Sequence, residues 1–297
     1  MTSQSTNHVL LIRPVEFYCN EQTIETNHYQ QPDDNKSHSE ILEQALIEFD
    51  AFEKNLLDHN IQVTTLIGQK GCPDNIFPNW AVTFDDQSMH IFSMLGENRR
   101  LEKSKEHIST LNQIYRTTLD YSEYEDTSQF LEGTSSLVLD RVNRIAYMGI
   151  SSRSNEDLAI KWADDQNYQL IVFETQSHTG DPIYHSDVMM SIGTELALVC
   201  SESIKLGGNN VINQLSQTHE ILEISRDQLM SFCGNCIEIK DTNNKLNLVM
   251  SATAYDGFES SQLKVFEQYF TNILHSNLET IETYGGGSAR CMIMELF

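Results

Sequence analysis

Positive charge is scarce in this sequence, and long hydrophobic runs are absent. Lysine and arginine together number 19 of 297 residues against 43 aspartates and glutamates, which gives a formal net charge of -24 at pH 7. An acidic surface of this kind repels nucleic acid and anionic membranes. No apolar run reaches the roughly 18 residues that span a bilayer. The sequence opens without a basic segment followed by a long apolar one, so we expect neither a membrane segment nor a signal peptide.

The sequence also lacks the patterns that usually hold cofactors, metals and disulfides. It contains no GxGxxG or P-loop motif and no HExxH or HxH pair, so we expect neither a nucleotide cofactor nor a metal site. The six cysteines show no disulfide framework, which favours a reducing cytoplasm. Cys233 and Cys236 form a CxxC pair without a second pair to complete a zinc site. We interpret this pair as coincidental, with a redox role as the alternative.

The composition is that of one folded α/β domain over residues 1–297. Hydrophobic residues make up 39% of the chain, which suffices for a packed core. We predict a first strand within His8–Phe17, a long polar loop over 20–40, an amphipathic helix over Ile41–His59 and another helix over 100–115. Strand-like and helical segments then alternate to the end of the sequence. We interpret this alternation as repeated strand–strand–helix–strand units.

Cys291 follows the glycine run Gly285–Gly287. Three consecutive glycines cost backbone entropy, and they are explained if the backbone must approach another group closely. Backbone N–H groups in such a loop can bind a thiolate or an oxyanion, and Arg290 next to the cysteine is able to lower the pKa of its thiol. The alternative is a buried, inert cysteine in a strand, which the spacing alone favours.

His185, Asp187 and Glu132 are candidates for proton transfer. His185 and Asp187 are two residues apart and share one face if the segment is extended. A histidine with a carboxylate beside it can act as an acid and a base. Glu132 stands beside a Gly-Thr turn and can orient a histidine. The alternatives are an ordinary polar loop before a core element and a solvated glutamate.

Two further segments carry candidate binding residues. The loop PDNIFPNW presents Asp74, Asn79 and Trp80, which can line a pocket with an acidic and an aromatic group, or can simply form a rigid turn with a tryptophan in the core. Arginines at strand ends suit the bidentate capture of a carboxylate, or else they are solvated surface residues. These arginines are Arg99, Arg100 and Arg153.

Taken together, the motifs resemble the amidinotransferase/arginine deiminase superfamily, the penteins, and most of all its citrulline-utilisation hydrolase branch. The matching segments cover nearly the whole chain and are HVLLIRPVEF, PDNIFPNW, ENRRLE, LEGTSSLVLDRVNRIAYMGISSRSN, YHSDVMMSIG and GGGSARCMIMELF. The resemblance implies an α/β propeller of five ββαβ modules around a central channel. It also implies a small-molecule substrate and no cofactor.

The resemblance implies a catalytic role for three residues. Cys291 matches the family's nucleophile, His185 its general acid and base, and Glu132 the carboxylate that orients the histidine.

It also implies roles in substrate binding. Asp187 matches a carboxylate that binds the guanidinium, Arg153 the arginine that grips the substrate α-carboxylate, and Asp74 a residue near the α-amino group. Arg99 or Arg100 assists Arg153.

The substrate is the point at which the sequence departs from its relatives. Guanidine-hydrolysing relatives carry acidic residues where this chain has Asn79 and Trp80, and a neutral ureido group tolerates amides better than a guanidinium does. The citrulline branch, however, often has asparagine at the position of Asp187. We expect citrulline to be converted to ornithine, ammonia and carbon dioxide through a covalent intermediate on Cys291. Arginine deiminase activity, amidino transfer and a non-catalytic binding protein are the alternatives, and a homodimer is left open.

Overall fold

The structure, a computed structural model, describes residues 2–32 and 35–297. Its strands are β1 His8–Arg13, β2 Gln62–Ile67, β3 Ala81–Thr83, β4 Ser88–Ile91, β5 Arg116–Asp120, β6 Val138–Asp140, β7 Ile145–Gly149, β8 Gln169–Thr175, β9 Met190–Ile192, β10 Leu196–Val199, β11 Ile204–Leu206, β12 Glu220–Glu223, β13 Ile237–Lys240, β14 Leu246–Ser251, β15 Asn272–Ser276 and β16 Met294–Glu295. Its helices are α1 His38–Asp58, α2 Glu97–Arg100, α3 Lys105–Leu111, α4 Gly133–Ser136, α5 Glu156–Gln166, α6 Gly208–Leu215, α7 Arg226–Met230, α8 Ala252–Gly257, α9 Ser260–Tyr269 and α10 Glu279–Gly285. Short 3-10 turns cover Ser122–Thr127, Ser186–Val188 and Ser201–Ser203.

The strands form five small sheets with one recurring plan. In each sheet a central strand pairs antiparallel with one neighbour and parallel with the other, and a helix lies between the two parallel strands along the chain. The sheets are β3-β4-β5, β6-β7-β8 with β11 added at its edge, β9-β10-β12, β13-β14-β15 and β16-β1-β2. The repeated strand–strand–helix–strand units predicted from the alternation of segments are confirmed, and so are the five ββαβ modules that the family resemblance implies.

The fifth sheet joins the two ends of the chain. Strand β16 pairs antiparallel with β1, so that Val9 faces Glu295 and Leu10 faces Met294. Strand β2 pairs with β1 on its other side, in parallel. This closure brings the C-terminal segment that carries Cys291 against elements from the first third of the sequence.

Helix α1 begins three residues earlier than predicted and ends one residue earlier. Ser37 forms a capping box, because its hydroxyl accepts the N–H of Glu40 while the Glu40 carboxylate accepts the N–H of Ser37. The helix therefore begins inside the segment predicted to be a loop, of which Asp33 and Asp34 lie outside the described residues. Its apolar face packs against the β16-β1-β2 and β13-β14-β15 sheets and includes Ile41, Ala45, Phe49, Phe52 and Leu56.

The continuous helix predicted over 100–115 is wrong. The segment contains the end of α2 and the separate helix α3, which begins where the Ser104 hydroxyl accepts the N–H of His107. A serine in this position starts a new helix because its extended backbone breaks the old one while its oxygen satisfies an otherwise free N–H. The break matters for the site because it leaves Arg99 and Arg100 in a short helix of their own.

Buried side chains form clusters between the sheets and the helices that pack on them. Trp162 of α5 packs beside Leu139 and Met148 of the adjoining strands, and Phe49 of α1 packs beside Val9 and Leu11. Truncating a fully buried phenylalanine such as Phe49 to alanine typically costs about 3–5 kcal/mol. No helix in the described part of the chain is long and apolar enough to cross a membrane.

Candidate active site

The three predicted catalytic residues lie in turns between the modules. Glu132 precedes helix α4, His185 precedes the 3-10 turn Ser186–Val188, and Cys291 lies in a turn between α10 and β16. A small pocket is lined by Asn27, Asp74, Phe77, Asn79, Arg99, Arg153, Tyr184, His185, Gly285, Gly287 and Cys291. Residues from distant parts of the sequence therefore meet at one small pocket.

The glycine run before Cys291 is required by close packing. A Cβ atom on Gly285 would lie 2.6 Å from the Phe77 ring, closer than van der Waals contact permits. Gly286 has a φ of 62°, and a Cβ there would lie 2.6 Å from the Asn27 side chain. The backbone does approach other groups closely, as the glycines suggested. Cys291 itself lies in a turn, not in the strand that was expected to contain it.

The Cys291 thiol is buried, and its surroundings favour its neutral form. Burial raises the pKa of the Cys291 thiol, and the Asp187 carboxylate raises it further. The sulfur lies 3.6 Å from Oδ2 of Asp187 and accepts a hydrogen bond of 3.2 Å from Nδ2 of Asn235. The backbone of Ser288, the amide of Asn235 and the charge of Arg290 act in the opposite direction on the same pKa.

His185 and Glu132 form a buried hydrogen-bonded pair. Nε2 of His185 lies 2.7 Å from Oε2 of Glu132. Burial opposes the negative charge of Glu132, but the charges of Arg153 and Arg99 and the bond to His185 outweigh it and hold the pKa of Glu132 well below its usual range. Burial lowers the pKa of His185 to about 4, against the pull of Glu132. The pair therefore rests as a carboxylate and a neutral imidazole.

Arg99 is held in place by several acceptors. It pairs with Glu102 at 2.9 Å, and its Nη2 donates to the carbonyl of Phe77 at 2.7 Å and to Oδ1 of Asn79 at 2.6 Å. Its Nη1 lies 3.5 Å from Glu132. Burial opposes its charge, but the surrounding carboxylates outweigh this and raise the pKa of Arg99. Arg99 is thus a permanent positive charge beside the His185–Glu132 pair.

Arg153 is also engaged, chiefly by the segment that precedes α1. Its Nη2 donates to Oγ1 of Thr26 at 2.8 Å and to the carbonyl of Thr23 at 3.0 Å, and its Nη1 lies 3.8 Å from Glu132. The guanidinium also lies over the Tyr184 ring, 4.9 Å from its centroid. Arg153 therefore lines the pocket and also binds the segment that contains Thr23 and Thr26.

Two carboxylates retain oxygens without partners. Oδ1 of Asp74 and Oδ1 of Asp187 are buried and accept no hydrogen bond from any residue that the structure describes. Burial raises the pKa of Asp187 to about 6, with Arg290 and Ser135 acting against it. Asp187 lines a second, neighbouring pocket together with Arg290. Its carboxylate thus stands between that space and the cysteine sulfur.

Trp80 and Arg100 are not brought to the cavity. Trp80 is fully buried in the hydrophobic core and stacks on His107 with ring centroids 6.4 Å apart. Arg100 donates to the carbonyls of Met94 and Leu95 at the end of the neighbouring segment. Neither residue lines the enclosure that contains Cys291 and His185.

Several residues that contact the site were not found from the sequence. Ser135 accepts a hydrogen bond of 3.0 Å from Nδ2 of Asn79, whose Oδ1 accepts from Arg99, and the Ser135 side chain lowers the pKa of Asp187. Asn235 contacts the cysteine itself. Ser135 follows Glu132 closely in the motif LEGTSS, which is a weak signal, whereas Asn235 is hidden inside the CxxC pair that we had set aside.

The arrangement suits the attack of sulfur on an electron-poor carbon that carries nitrogen atoms. The thiol supplies a nucleophile, the imidazole can accept and return a proton, and free carboxylate oxygens can receive N–H donors. Within residues 2–32 and 35–297, no group of three or more His, Cys, Asp or Glu side chains is arranged to hold a metal ion.

Solved structures share this fold at low sequence identity. The N-terminal domain of ArgZ, an arginine dihydrolase from the ornithine-ammonia cycle in cyanobacteria, superposes in its substrate-bound form with a TM-score of 0.76 at 15% identity over 97% of both chains. A complex of an AgrE mutant with L-arginine gives 0.77 at 16% identity, covering 98% of this chain and 40% of that one. A DDAH mutant from Pseudomonas aeruginosa with bound citrulline gives 0.68 at 16% identity over 100% of both chains.

The family itself is shown by a sequence comparison. No curated protein matches the chain significantly. The sequence profile described as N,N dimethylarginine dimethylhydrolase, eukaryotic, matches residues 13–297. The pentein fold expected from the motifs is confirmed by the five modules and by the solved structures. The chain accordingly belongs to the N,N-dimethylarginine dimethylhydrolase family of the amidinotransferase/arginine deiminase, or pentein, superfamily.

Proposed function

We propose that this protein is a cysteine-dependent hydrolase that cleaves a C–N bond in the guanidino or ureido group of a small arginine-like amino acid. The observation that carries the proposal is the buried Cys291 thiol, 3.6 Å from Asp187, in the same cavity as the His185–Glu132 pair. Thiol, imidazole and carboxylate are the three parts of an activated cysteine nucleophile with its proton carrier.

A free carboxylate oxygen favours a guanidino group over a ureido group. A guanidinium is a planar cation with five N–H donors, and carboxylates bind it more strongly than they bind a neutral urea. Asp187, which lies beside the sulfur, retains one unpartnered oxygen. Citrulline, which the sequence motifs led us to expect, donates fewer hydrogen bonds and carries no charge in its ureido group. We therefore place arginine or a methylated arginine first and citrulline second.

The reaction proceeds through a covalent adduct on Cys291. His185 takes the thiol proton, and the sulfur adds to the central carbon of the guanidinium. His185 then gives the proton to one nitrogen, the C–N bond breaks, and ammonia or an amine leaves. A thiouronium joined to Cys291 remains. His185 next takes a proton from water as its oxygen adds to the same carbon, the C–S bond breaks, and a ureido product leaves. Throughout, Glu132 orients the imidazole through the 2.7 Å bond.

The α-carboxylate of the substrate is bound by Arg153 in this proposal. Arg153 lines the cavity, and its contacts with Thr23 and Thr26 are hydrogen bonds that a carboxylate can replace. Asp74 is suited to the α-amino group, because its second oxygen is already fixed by Asn20 and Thr23.

The proposal is tested by product analysis with L-arginine, N,N-dimethylarginine and citrulline supplied in parallel. We expect citrulline from one or both of the first two, with ammonia or dimethylamine as the second product. Ornithine and ammonia from citrulline would show that the ureido group is also cleaved. Cys291→Ser should melt at the wild-type temperature and form no product. Turnover by that variant, or saturable binding of all three compounds without any product from the wild type, would refute the hydrolase proposal.

A further inference from the structure

Asn235 lies between Cys233 and Cys236, in the CxxC pattern that the proposed function leaves unexplained. Both thiols are fully buried and free. The Cys233 thiol donates to the carbonyl of Ala254 at 3.4 Å, and the Cys236 thiol donates to the carbonyl of Cys233 at 3.2 Å. Both thiols are therefore bonded to backbone carbonyls, the Cys233 thiol to one in helix α8 and the Cys236 thiol to one within the turn. The contact with the candidate active site comes from the asparagine between them.

The Asn235 side chain uses all of its hydrogen-bonding capacity on the site. Its Nδ2 donates to Sγ of Cys291 at 3.2 Å and to the carbonyl of Asp187 at 2.9 Å. Its Oδ1 accepts the backbone N–H of Arg290 at 3.1 Å and that of Cys291 at 3.3 Å. A primary amide offers two donors and two acceptor sites, so none is left over. One side chain thus ties the turn that carries the nucleophile to the segment that carries Asp187.

Gly234 allows this turn to come so close. A Cβ atom on Gly234 would lie 2.4 Å from the carbonyl oxygen of Val188 and 2.8 Å from the carbonyl carbon of Met189, which are backbone atoms that cannot move aside cheaply. The contact is therefore built by the pair Gly234 and Asn235 together. It places a fully buried amide against the residues that follow Asp187.

The hydrogen bond to sulfur has a direction that matters for reaction. Nδ2 can only donate, and a donated bond becomes stronger when its acceptor becomes an anion. The Asp187 carboxylate, 3.6 Å from the same sulfur, acts in the opposite sense by accepting the S–H proton and repelling a thiolate. Asn235 is thus a neutral group that favours the charged form of Cys291 without adding a charge of its own to a buried site.

We propose that Asn235 is a positioning residue for Cys291, which fixes the nucleophile against the Asp187 segment and stabilises its thiolate through Nδ2. This inference rests on the proposed role of Cys291 as the nucleophile. The sequence pattern Cys-Gly-Asn-Cys then has a function in which its glycine and asparagine matter, while its two sulfurs bond only backbone carbonyls away from Cys291.

The experiment measures the alkylation of Cys291 by iodoacetamide as a function of pH, without substrate. Trypsin cleaves after Arg290 and releases the peptide Cys291–Phe297, so mass spectrometry reports this thiol separately from the other five. Asn235→Asp keeps an acceptor for the two backbone N–H groups and replaces the donor by an oxygen. Asn235→Ala removes all four bonds. Asn247→Asp is the matched control, because Asn247 is equally buried and bonds within its own sheet, to Ile239 and Lys245.

We expect the alkylation midpoint to move to higher pH in both Asn235 variants and the rate at pH 8 to fall about tenfold or more, the usual effect of losing a hydrogen bond to a charged group. Asn247→Asp should stay within about twofold of wild type, since it removes no bond to a charged group. A folded Asn235 variant with the wild-type profile would overturn the assignment. So would an equal shift in Asn247→Asp, or failure of both Asn235 variants to fold. No substrate is involved, so this result stands apart from the two outcomes that would overturn the proposed function, turnover by Cys291→Ser and binding of all three compounds without product.

Discussion

One part of the candidate site, the ionic side, holds opposite charges in direct contact. It consists of Glu132, His185, Arg99 and Arg153. A single atom, Oε2 of Glu132, lies within 4 Å of a nitrogen from each of the other three residues. The carboxylate is ionised well below neutral pH because two arginines and a histidine surround it. The charges on this side are set before any ligand arrives.

The other part of the candidate site, the sulfur side, contains groups whose burial favours their neutral forms. It consists of Cys291, Asp187 and Asn235. Burial raises the pKa of both the Cys291 thiol and the Asp187 carboxyl, and their mutual repulsion as anions raises the thiol pKa further. The nearest arginine, Arg290, lowers both values only in part.

The comparison explains why a cationic ligand suits this cavity. A guanidinium placed against the sulfur side would supply the positive charge missing there, and it would lower the pKa of both Asp187 and Cys291. On the ionic side, Arg99 and Arg153 already supply the positive charge that lowers the pKa of Glu132. The two sides approach each other through Asn79, which accepts from Arg99 and donates to Ser135, a residue that lowers the pKa of Asp187.

Breaking the ionic side should have the largest effect. Glu132→Gln leaves His185 without its carboxylate but still beside two arginines, so the ring loses both its orientation and its ability to hold a proton. General acid–base catalysis is worth about 10²–10⁴ in rate, and we expect kcat to fall by about 10³. Steady-state kinetics with the preferred substrate measures this fall.

Glu102→Gln is the matched control for that change. Glu102 is also fully buried and pairs with Arg99, but it makes no bond to His185. We expect this variant to lose stability and to retain far more of its kcat than Glu132→Gln. Equal losses of kcat in the two variants would mean that Glu132 acts only by neutralising Arg99.

Breaking the sulfur side should separate binding from thiol ionisation. Asp187→Asn removes the carboxylate that raises the pKa of Cys291, so alkylation of Cys291 should shift to lower pH. The same change removes an anionic acceptor for the guanidinium, and kcat/KM should fall by about 10- to 100-fold. We therefore expect Asp187→Asn to have a more reactive Cys291 thiol and a lower kcat/KM than the wild type. A variant with unchanged alkylation would show that Asp187 does not govern the sulfur.

The pH dependence should sharpen the same contrast. Burial raises the pKa of Asp187 to about 6, so the carboxyl is increasingly protonated, and a poorer site for a cation, as the pH falls below 6. We expect kcat/KM to fall about tenfold per pH unit below that value. His185, with its pKa lowered to about 4, stays neutral at pH 5 to 8 and adds no limb there. In Asp187→Asn the fall of kcat/KM below pH 6 should disappear. If the fall remains, it is caused by the titration of another group.

Sequence patterns predicted the fold better than they predicted the site. The modules follow from local alternation of strands and helices, which each segment expresses by itself. Cys291, His185 and Glu132 were candidates by type and neighbours, and the geometry that supports them depends on the closure of β16 on β1. Whether Asp187 faced the sulfur or solvent was not decided by its spacing from His185, because the segment turns instead of staying extended.

The residues that sequence reasoning missed act through contacts made at long range. Asn235 and Cys291 are 56 residues apart, and Asn79 and Ser135 are also 56 apart, so no local period relates them. Trp80 shows the converse. An aromatic residue in a candidate pocket loop turned out to pack in the core on His107, because a large apolar side chain gains more from full burial than from lining a polar cavity.

The smallest effect should come from Arg100, although it adjoins Arg99 in the sequence and in α2. Side-chain exposure is 29% for Arg100 against 3% for Arg99. Arg100 donates to two carbonyls outside the cavity, whereas Arg99 touches Glu132 and Asn79. Arg100→Ala should therefore change kcat/KM by no more than about twofold and cost about 1 kcal/mol of stability.

Arg99→Lys is the variant to compare with Arg100→Ala. A lysine ammonium cannot reproduce the planar set of hydrogen bonds that Arg99 donates to Glu102, Asn79 and the Phe77 carbonyl. The kcat/KM of Arg99→Lys should fall well below that of Arg100→Ala, even though the charge is kept. Thermal unfolding of both variants separates loss of stability from loss of turnover. If Arg100→Ala lowered kcat/KM more than Arg99→Lys, Arg100 would belong to the ionic side of the site. Arg99 would then be a structural residue.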